Sequence, residues 1–353
     1  MAKLTPMMQQ YMEIKERYKD SILLFRLGDF FEMFFSDAEI ASKELEITLT
    51  GRDCGLEERA PMCGVPYHSV NTYIARLLAK GYKVAICDQM EDPALAKGIV
   101  RRDVTRVITP GTVTDPAMLD EKKNNYLMAV YCQQIYYGIA VADVSTGEFY
   151  ATQITWGSSV AKLVDEISRY KPSEIITNRD LLSRPEYKSM FIDYLKIEPS
   201  VVEDELFSLN ASHDRLMEIF GENPFSNLEL AQCAAGALLS YLESTQKVDL
   251  KHIEKVQIYK IEQYMMLDSA SRRSLEITET MRDSRKKGSL LWVLDKTTTS
   301  MGGRKLRHWL EQPLLDKNRI NDRLDAVGEL LARRENREEL QSILQRLRDI
   351  ERI

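Results

Sequence analysis

Arg26-Leu27-Gly28-Asp29-Phe30-Phe31-Glu32-Met33-Phe34-Phe35 follows the apolar run Ile22 to Phe25, and its Gly28-Asp29 pair is a turn signal between two strands. Read as a strand, the residues after the turn alternate between two faces. Phe31, Met33 and Phe35 share a wholly apolar side, the natural core side, while Phe30, Glu32 and Phe34 share the other. A buried sheet face accepts a carboxylate two residues from an aromatic ring poorly, because an unpaired buried charge is costly. Phe30 is therefore predicted to be an exposed ring. A ring of this kind can enter a DNA base step from the minor groove and kink the duplex, and unstacking costs least where pairing is already defective. Phosphates repel a carboxylate, so Glu32 at such a site would meet a base edge, accepting a hydrogen bond or donating one if protonated. The plainer alternative is a sheet-edge Phe beside a solvated Glu.

The wider segment favours the first reading. Gly28-Asp29-Phe30-Phe31-Glu32 resembles the glycine-x-phenylalanine-x-glutamate element of the MutS family of DNA mismatch-repair proteins. Further blocks fit that family in the same order: Pro61-Met62-Cys63-Gly64-Val65-Pro66-Tyr67-His68, Val84-Ala85-Ile86-Cys87-Asp88-Gln89, Arg106-Val107-Ile108-Thr109-Pro110-Gly111-Thr112, and Gly302-Gly303-Arg304-Lys305-Leu306-Arg307 with Trp309 and Pro313. The resemblance spans essentially the whole chain. It implies that Phe30 stacks at a mispaired or unpaired base, that Glu32 hydrogen-bonds to that base, and that Arg52 lies where the family has a basic residue near the DNA. It also implies mismatched duplex DNA and a second MutS subunit as partners, with downstream repair proteins at a connector domain.

Charge runs against a protein that grips DNA in bulk. Phosphate neutralisation supplies most non-specific affinity, yet the 353 residues carry 48 basic and 54 acidic side chains, a net of −6. Residues 1–115 hold 15 basic and 17 acidic groups. The resemblance offers a reason, since MutS-like proteins close around DNA as dimers with a separate clamp. The most basic stretches, Lys97 to Arg106 and Arg282 to Lys287, read as solvated faces. Cys54, Cys63, Cys87, Cys132 and Cys233 are odd in number and form no C-x-x-C pair, so neither a disulfide framework nor a zinc knuckle is indicated. Cys54, Cys63 and His68 fit no usual metal-site spacing. No apolar run reaches the ~18 residues of a membrane span and the N-terminus lacks a secretion signal, so a cytoplasmic location is expected.

The pattern predicts an α/β multidomain chain: a mixed α/β domain over 1–115, an α/β connector over 116–250 and a helical segment over 251–353. The first opens with an amphipathic helix over Thr5 to Lys19, then two strands around Gly28, a helix near Asp37 to Leu45 capped by Ser36, a helix over Val70 to Lys80 ended by Gly81, and strands over Lys83 to Asp88 and Asp103 to Ile108. The connector begins with strands over Tyr126 to Cys132, Tyr136 to Val144 and Gly147 to Ile154, the last two joined through Ser145-Thr146-Gly147, and continues with helical patterns and the strand Glu174 to Thr177. This order resembles ribonuclease-H-like folds and raises a nuclease reading with Asp143 as a metal ligand. That chemistry needs several converging carboxylates, and only Asp143 and Glu148 are evident.

The third segment is helical: Leu228 to Leu242 is apolar on much of its circumference, and Met265 to Leu275, Leu290 to Asp295 and Gly303 to Leu310 follow a crossover at Lys247 to Ile258. Asn318 to Arg334 and Asn336 to Ile353 are charged amphipathic patterns, with Leu324, Val327, Leu330 and Leu331 on one inner face. The ending, without a C-cap or polar tail, reads as an unfinished helical domain, which the MutS resemblance implies is the start of a core/lever domain. No window matches the phosphate-binding G-x-x-x-x-G-K-[ST], and Gly302-Gly303-Arg304-Lys305 reads as a helix start with a basic first turn. No catalysis and no cofactor are expected of this chain, ATP and Mg²⁺ being implied for the full-length family member. Two function classes remain: a DNA mismatch-recognition segment, and a protein-interaction module of the superfamily that docks partners without reading mismatches. Relatives that lack mismatch repair lack the Phe-x-Glu pair, so its presence favours the first.

Overall fold

Pro6 at the first helical position and an apolar stripe at Met8, Tyr11 and Ile14 set the first helix, α1 (Pro6–Arg17), with that stripe buried. The computed structural model describes residues 4–91, 98–155, 159–247 and 250–352. It divides into two compact units, Met1–Val113 with Tyr241–Asp249, and Thr114–Ser240 with Leu250–Ile353.

In the first unit α1 leads to β1 (Ser21–Leu27), β2 (Phe30–Phe34), α2 (Phe35–Leu45), β3 (Thr50–Arg52), β4 (Ala60–Pro66), α3 (Val70–Ala79), β5 (Lys83–Gln89) and β6 (Arg102–Ile108). The six strands form one mixed sheet in the order β3-β4-β2-β1-β5-β6, with β1 and β5 parallel and the other neighbours antiparallel. Gly28 supplies φ +58° at the first position of the two-residue β1–β2 turn, a conformation costly for any side chain. Gly81 does the same at +85° after α3. β3 and β4 were not evident as strands in the sequence; their short, Gly- and Pro-containing pattern hides the alternation.

Two expectations for this unit are corrected. Ser36 does not cap α2: the helix starts at Phe35, its N-cap is Phe34 and no side chain caps it. The face carrying Phe30, Glu32 and Phe34 is not open along its length, because Phe34 is fully buried and packs edge-on against Tyr11 of α1 at 5.0 Å. Tyr11 is in turn held by Asp37, which also accepts the Leu23 amide at 3.0 Å and pairs with Lys15 at 2.8 Å.

The second unit begins with β7 (Leu127–Gln133), β8 (Tyr136–Asp143) and β9 (Glu148–Ile154), an antiparallel meander. α4 (Ser159–Tyr170), β10 (Glu174–Thr177), α5 (Arg179–Leu182), α6 (Pro185–Ser189), β11 (Ser200–Val201), α7 (Leu209–Phe220), α8 (Glu229–Gln246) and β12 (Gln257–Ile258) follow. β10 and β11 extend the sheet in parallel beyond β7, and β12 pairs in parallel with β9, giving β11-β10-β7-β8-β9-β12. Gly138 on β8 is required by close approach: a Cβ there would stand 1.8 Å from the Leu230 carbonyl oxygen in the first turn of α8. α9 (Ser269–Ser274), α10 (Leu290–Leu294), α11 (Ser300–Glu311), α12 (Lys317–Ala332) and α13 (Arg334–Leu344) complete the chain. The fold is thus mixed α/β with two mixed sheets and a helical C-terminal part.

Here too the structure revises the sequence reading. The helix expected over Met265 to Leu275 is confined to α9, and the one expected over Asn336 to Ile353 ends at Leu344. Leu324, Val327, Leu330 and Leu331 are exposed rather than turned inward. Gly302-Gly303 does lie at a helix start, as the sequence reading expects, where the Thr299 hydroxyl accepts a hydrogen bond from the Gly302 amide, and Arg304 next to them is buried. Its guanidinium pairs with Asp349 and Glu351 at 2.7 Å each and donates to the Glu121 carbonyl at 2.9 Å. Gly303 leaves room for the Lys122 side chain, whose Cγ would lie 2.8 Å from an added Cβ.

Candidate nucleic-acid interface

β2 enters the sheet between β1 and β4, with Leu27 and Pro66 opposite Phe30, and Phe25 and Gly64 opposite Glu32. Because paired residues in a ladder point to one face, Phe30, Glu32 and Phe34 line a single stripe under which α1 covers only one end. Exposure rises along it, from 0% at Phe34 through the partly buried Glu32 to 47% at Phe30. The ring predicted to stand in solvent does so. The tip around it is exposed as well: Gly28, Asp29, Tyr67 and His68 all face solvent. Tyr67 is tied to the hairpin by its amide, which donates to the Asp29 carbonyl at 2.8 Å, and the Arg26 guanidinium lies over its ring at 3.6 Å.

Glu32 is not solvated. Arg52 of β3, on the same face, donates to Glu32 Oε2 in a short ion pair. The Glu32 side chain is 16% exposed and that of Arg52 36%. No described residue hydrogen-bonds Glu32 Oε1. Gly64 lies opposite Glu32 on β4, and a Cβ there would meet Glu32 Cγ and the Phe31 carbonyl oxygen at contact distance, each at 3.4 Å. The structure therefore brings together the three residues singled out in the sequence and joins two of them directly, a pairing that sequence spacing could not reveal because it crosses β4. Gly64 and Tyr67 went unassigned there, although both lie in the quoted Pro61 to His68 block.

The other candidates are engaged elsewhere. Of the basic stretch beginning at Lys97, that residue lies outside the described ones. Arg102 is buried, with Nε donating to the Arg26 carbonyl at 2.7 Å, and burial pushes its pKa down. In the Arg282 to Lys287 stretch, Lys286 pairs with Asp295 at 2.6 Å. Cys54 and Cys63 are buried while His68 is exposed, so they do not converge; burial pushes the Cys63 thiol up to about 11. Asp143 is filled by protein donors, the Ser145 amide and hydroxyl at 2.9 and 2.6 Å, Asn124 at 2.9 Å and the Asn125 amide at 3.1 Å. Asn124 also bridges to Glu148 at 3.1 Å, whose carboxyl burial and the neighbouring Asp143 push up. Among the described residues no group of three or more His, Cys, Asp or Glu is placed to hold a metal ion, and no helix is long and apolar enough to cross a membrane.

Comparison with known proteins agrees along nearly the whole length. The family model MutS domain I matches residues 5–117, MutS domain II residues 125–254 and MutS domain III residues 270–353. The chain is 61% identical over 355 residues to the DNA mismatch repair protein MutS of Ruminiclostridium cellulolyticum, 59% over 358 residues to that of Acetivibrio thermocellus and 51% over 354 residues to that of Caldanaerobacter subterraneus subsp. tengcongensis. These alignments cover 99 to 100% of the chain but only 40 to 41% of each relative, so the chain spans about two fifths of the length of the curated relatives it matches. With three successive domain matches in order and half or more of its residues identical to these relatives, the chain belongs to the MutS family.

Proposed function

We propose that the chain recognises mispaired or unpaired bases in duplex DNA, with Phe30 as the wedge and Glu32 as the group that bonds the displaced base. The observation that carries this reading is the exposed Phe30 ring at the free end of a stripe whose other end is packed beneath α1. A rigid sheet behind the ring matters, because a wedge that yields cannot unstack a base step. Glu32 reaches a base by turning its unbonded Oε1 outward or by giving up Arg52, and an Arg52 so released is free to meet a phosphate. This chain would supply discrimination, while most of the grip comes from a second subunit and from parts of the full-length protein outside it. ATP and Mg²⁺ act in that remainder, and the chain by itself hydrolyses no ATP. Downstream repair proteins dock on the connector, residues 116–250.

Fluorescence anisotropy of the chain on a G·T duplex, a duplex with one unpaired base and a homoduplex, at low salt, tests the reading. Binding is expected to be weak and salt-sensitive, with a preference for the two defective duplexes that Phe30→Ala abolishes. An equal preference before and after the substitution refutes the wedge.

A further inference from the structure

The second unit contains a cleft of about 920 Å³, within the ~300–1,000 Å³ range of small-molecule sites, that the mismatch reading does not use. It lies among the C-terminal end of α4, the segment 194–197, α9 and the segment 277–284. Its cations are Lys171, Lys196, Arg272 and Arg273. Arg272 is committed to the fold, with Nε donating to the Leu267 carbonyl and Nη1 to that of Glu311. Lys171 pairs with Glu279 at 3.4 Å. Lys196 and Arg273 have neither an ion pair nor a side-chain hydrogen bond among the described residues. The remaining lining combines hydroxyl donors, among them Ser269, Ser274 and Ser284, with the apolar Leu195, Ile197 and Ile277.

The backbone supplies the second observation. Lys171 and Lys196 each follow a helical segment in the left-handed conformation, at φ +46° and +57°. Glycine is favoured at such C-terminal positions because a side chain strains there. Both positions carry lysine instead, and both line the same cleft. Ser284, at φ +48°, is a third left-handed residue on its wall. Glu46 after α2 and Lys247 after α8 adopt the same conformation elsewhere, so what distinguishes the cleft is that three such residues line one wall, as strained backbone does where a ligand is held. A single carboxylate would leave most of this donor set unused, whereas a phosphate brings close to two negative charges and three acceptor oxygens. The apolar wall then takes a flat organic body.

We propose that the cleft between α4 and α9 is a binding site for a mononucleotide, its phosphates on Lys171, Lys196 and Arg273 and its base against Leu195, Ile197 and Ile277. The sequence has no phosphate-binding G-x-x-x-x-G-K-[ST], so nucleotide binding by this chain has no P-loop to be attributed to.

Isothermal titration with ADP, AMP, adenosine and inorganic phosphate at 0.15 M salt tests this. Saturable binding is expected for ADP and AMP, weaker binding for inorganic phosphate and none for adenosine. Lys196→Ala and Arg273→Ala, both at exposed side chains with no ion pair or side-chain hydrogen bond among the described residues, should each weaken ADP about tenfold with unchanged circular dichroism. The proposal is overturned if no nucleotide binds at millimolar concentration, if adenosine binds as tightly as ADP, or if both variants bind ADP normally. Displacement of ADP by an equal concentration of 5′-phosphorylated duplex ends would also overturn it, by assigning the cleft to a DNA terminus. None of these outcomes depends on how Phe30 behaves.

Discussion

Replacing Phe30 by alanine should separate folding from recognition, and the structure sets both magnitudes. Full burial of a phenylalanine is worth about 1.5–3 kcal/mol, and Phe30 is 47% exposed, so Phe30→Ala should lower stability by only about 1 kcal/mol. Phe34, four residues on in the same stripe, is completely buried against Tyr11. Phe34→Ala should therefore cost the ~3–5 kcal/mol typical of a core phenylalanine. Stacking of a base on an aromatic ring is worth about 1–3 kcal/mol, so losing Phe30 should reduce the preference for a G·T or single-base-bulge duplex by roughly 5- to 150-fold, a 1.4 kcal/mol step being tenfold. Urea titration followed by circular dichroism reads the first quantity, and anisotropy at low salt on matched and defective duplexes reads the second. The reasoning fails if Phe30→Ala destabilises as much as Phe34→Ala, which would make the ring a core residue, or if the folded variant still prefers defective DNA.

Arg52→Met should leave Glu32 unpaired at a site 16% exposed and cost about 1 kcal/mol of stability; Glu32→Gln should instead alter which defects are preferred more than overall affinity, and a uniform loss across all duplexes would count against a base contact. Gly138→Ala should be among the most damaging small substitutions, by roughly 3 kcal/mol or more, since its methyl would enter the backbone of α8 at 1.8 Å; an unchanged urea midpoint would show that α8 can shift freely. His308 on α11 is held down to about 4 by burial, with Lys305, Arg169 and Arg323 adding repulsion. Its unfolded pKa is near 6.5, so its contribution is complete above about pH 6.5 and is lost as pH falls towards 4, by up to about 3 kcal/mol. Burial pushes Glu148 and Glu311 up and gives them the opposite slope, so the measurement is the difference between wild type and His308→Phe; parallel stability-versus-pH curves would refute it.

The hairpin carrying Phe30 and Glu32 was legible because a two-residue glycine turn, strand alternation and an acidic residue beside an exposed ring are all local signals. Helices α1 and α3 and strands β5 to β10 came through for the same reason. What the sequence hid was tertiary. Phe34 shares the alternation of Phe30 and differs only because Tyr11 lies above it, a contact across 23 residues. The Glu32–Arg52 pair spans an intervening strand, and the burial of Arg304 depends on Asp349, Glu351 and the Glu121 carbonyl, all distant in the chain. The apolar residues of α12 formed an amphipathic pattern that predicts a buried face, but periodicity only marks which face is apolar, and no described element covers Leu324, Val327 or Leu331.

The charge balance and the exposed ring fit one division of labour. Affinity for duplex DNA scales with the phosphates neutralised and decays with salt, and a chain of net charge −6 offers little of it. Discrimination by a wedge rests instead on the difference in unstacking cost between paired and defective steps, which depends on a rigid, uncharged edge. A positive surface around Phe30 would raise binding to every sequence equally and dilute that difference. On the proposed wedge reading, the pairing of Arg52 with Glu32 would act in the same direction, by neutralising a cation on the stripe that ends at Phe30. Adding lysines at the exposed Asp29 and His68 should therefore tighten homoduplex binding while lowering the ratio of defective to homoduplex affinity. A ratio that rose with the added charge would show that grip and discrimination are not separable in this domain.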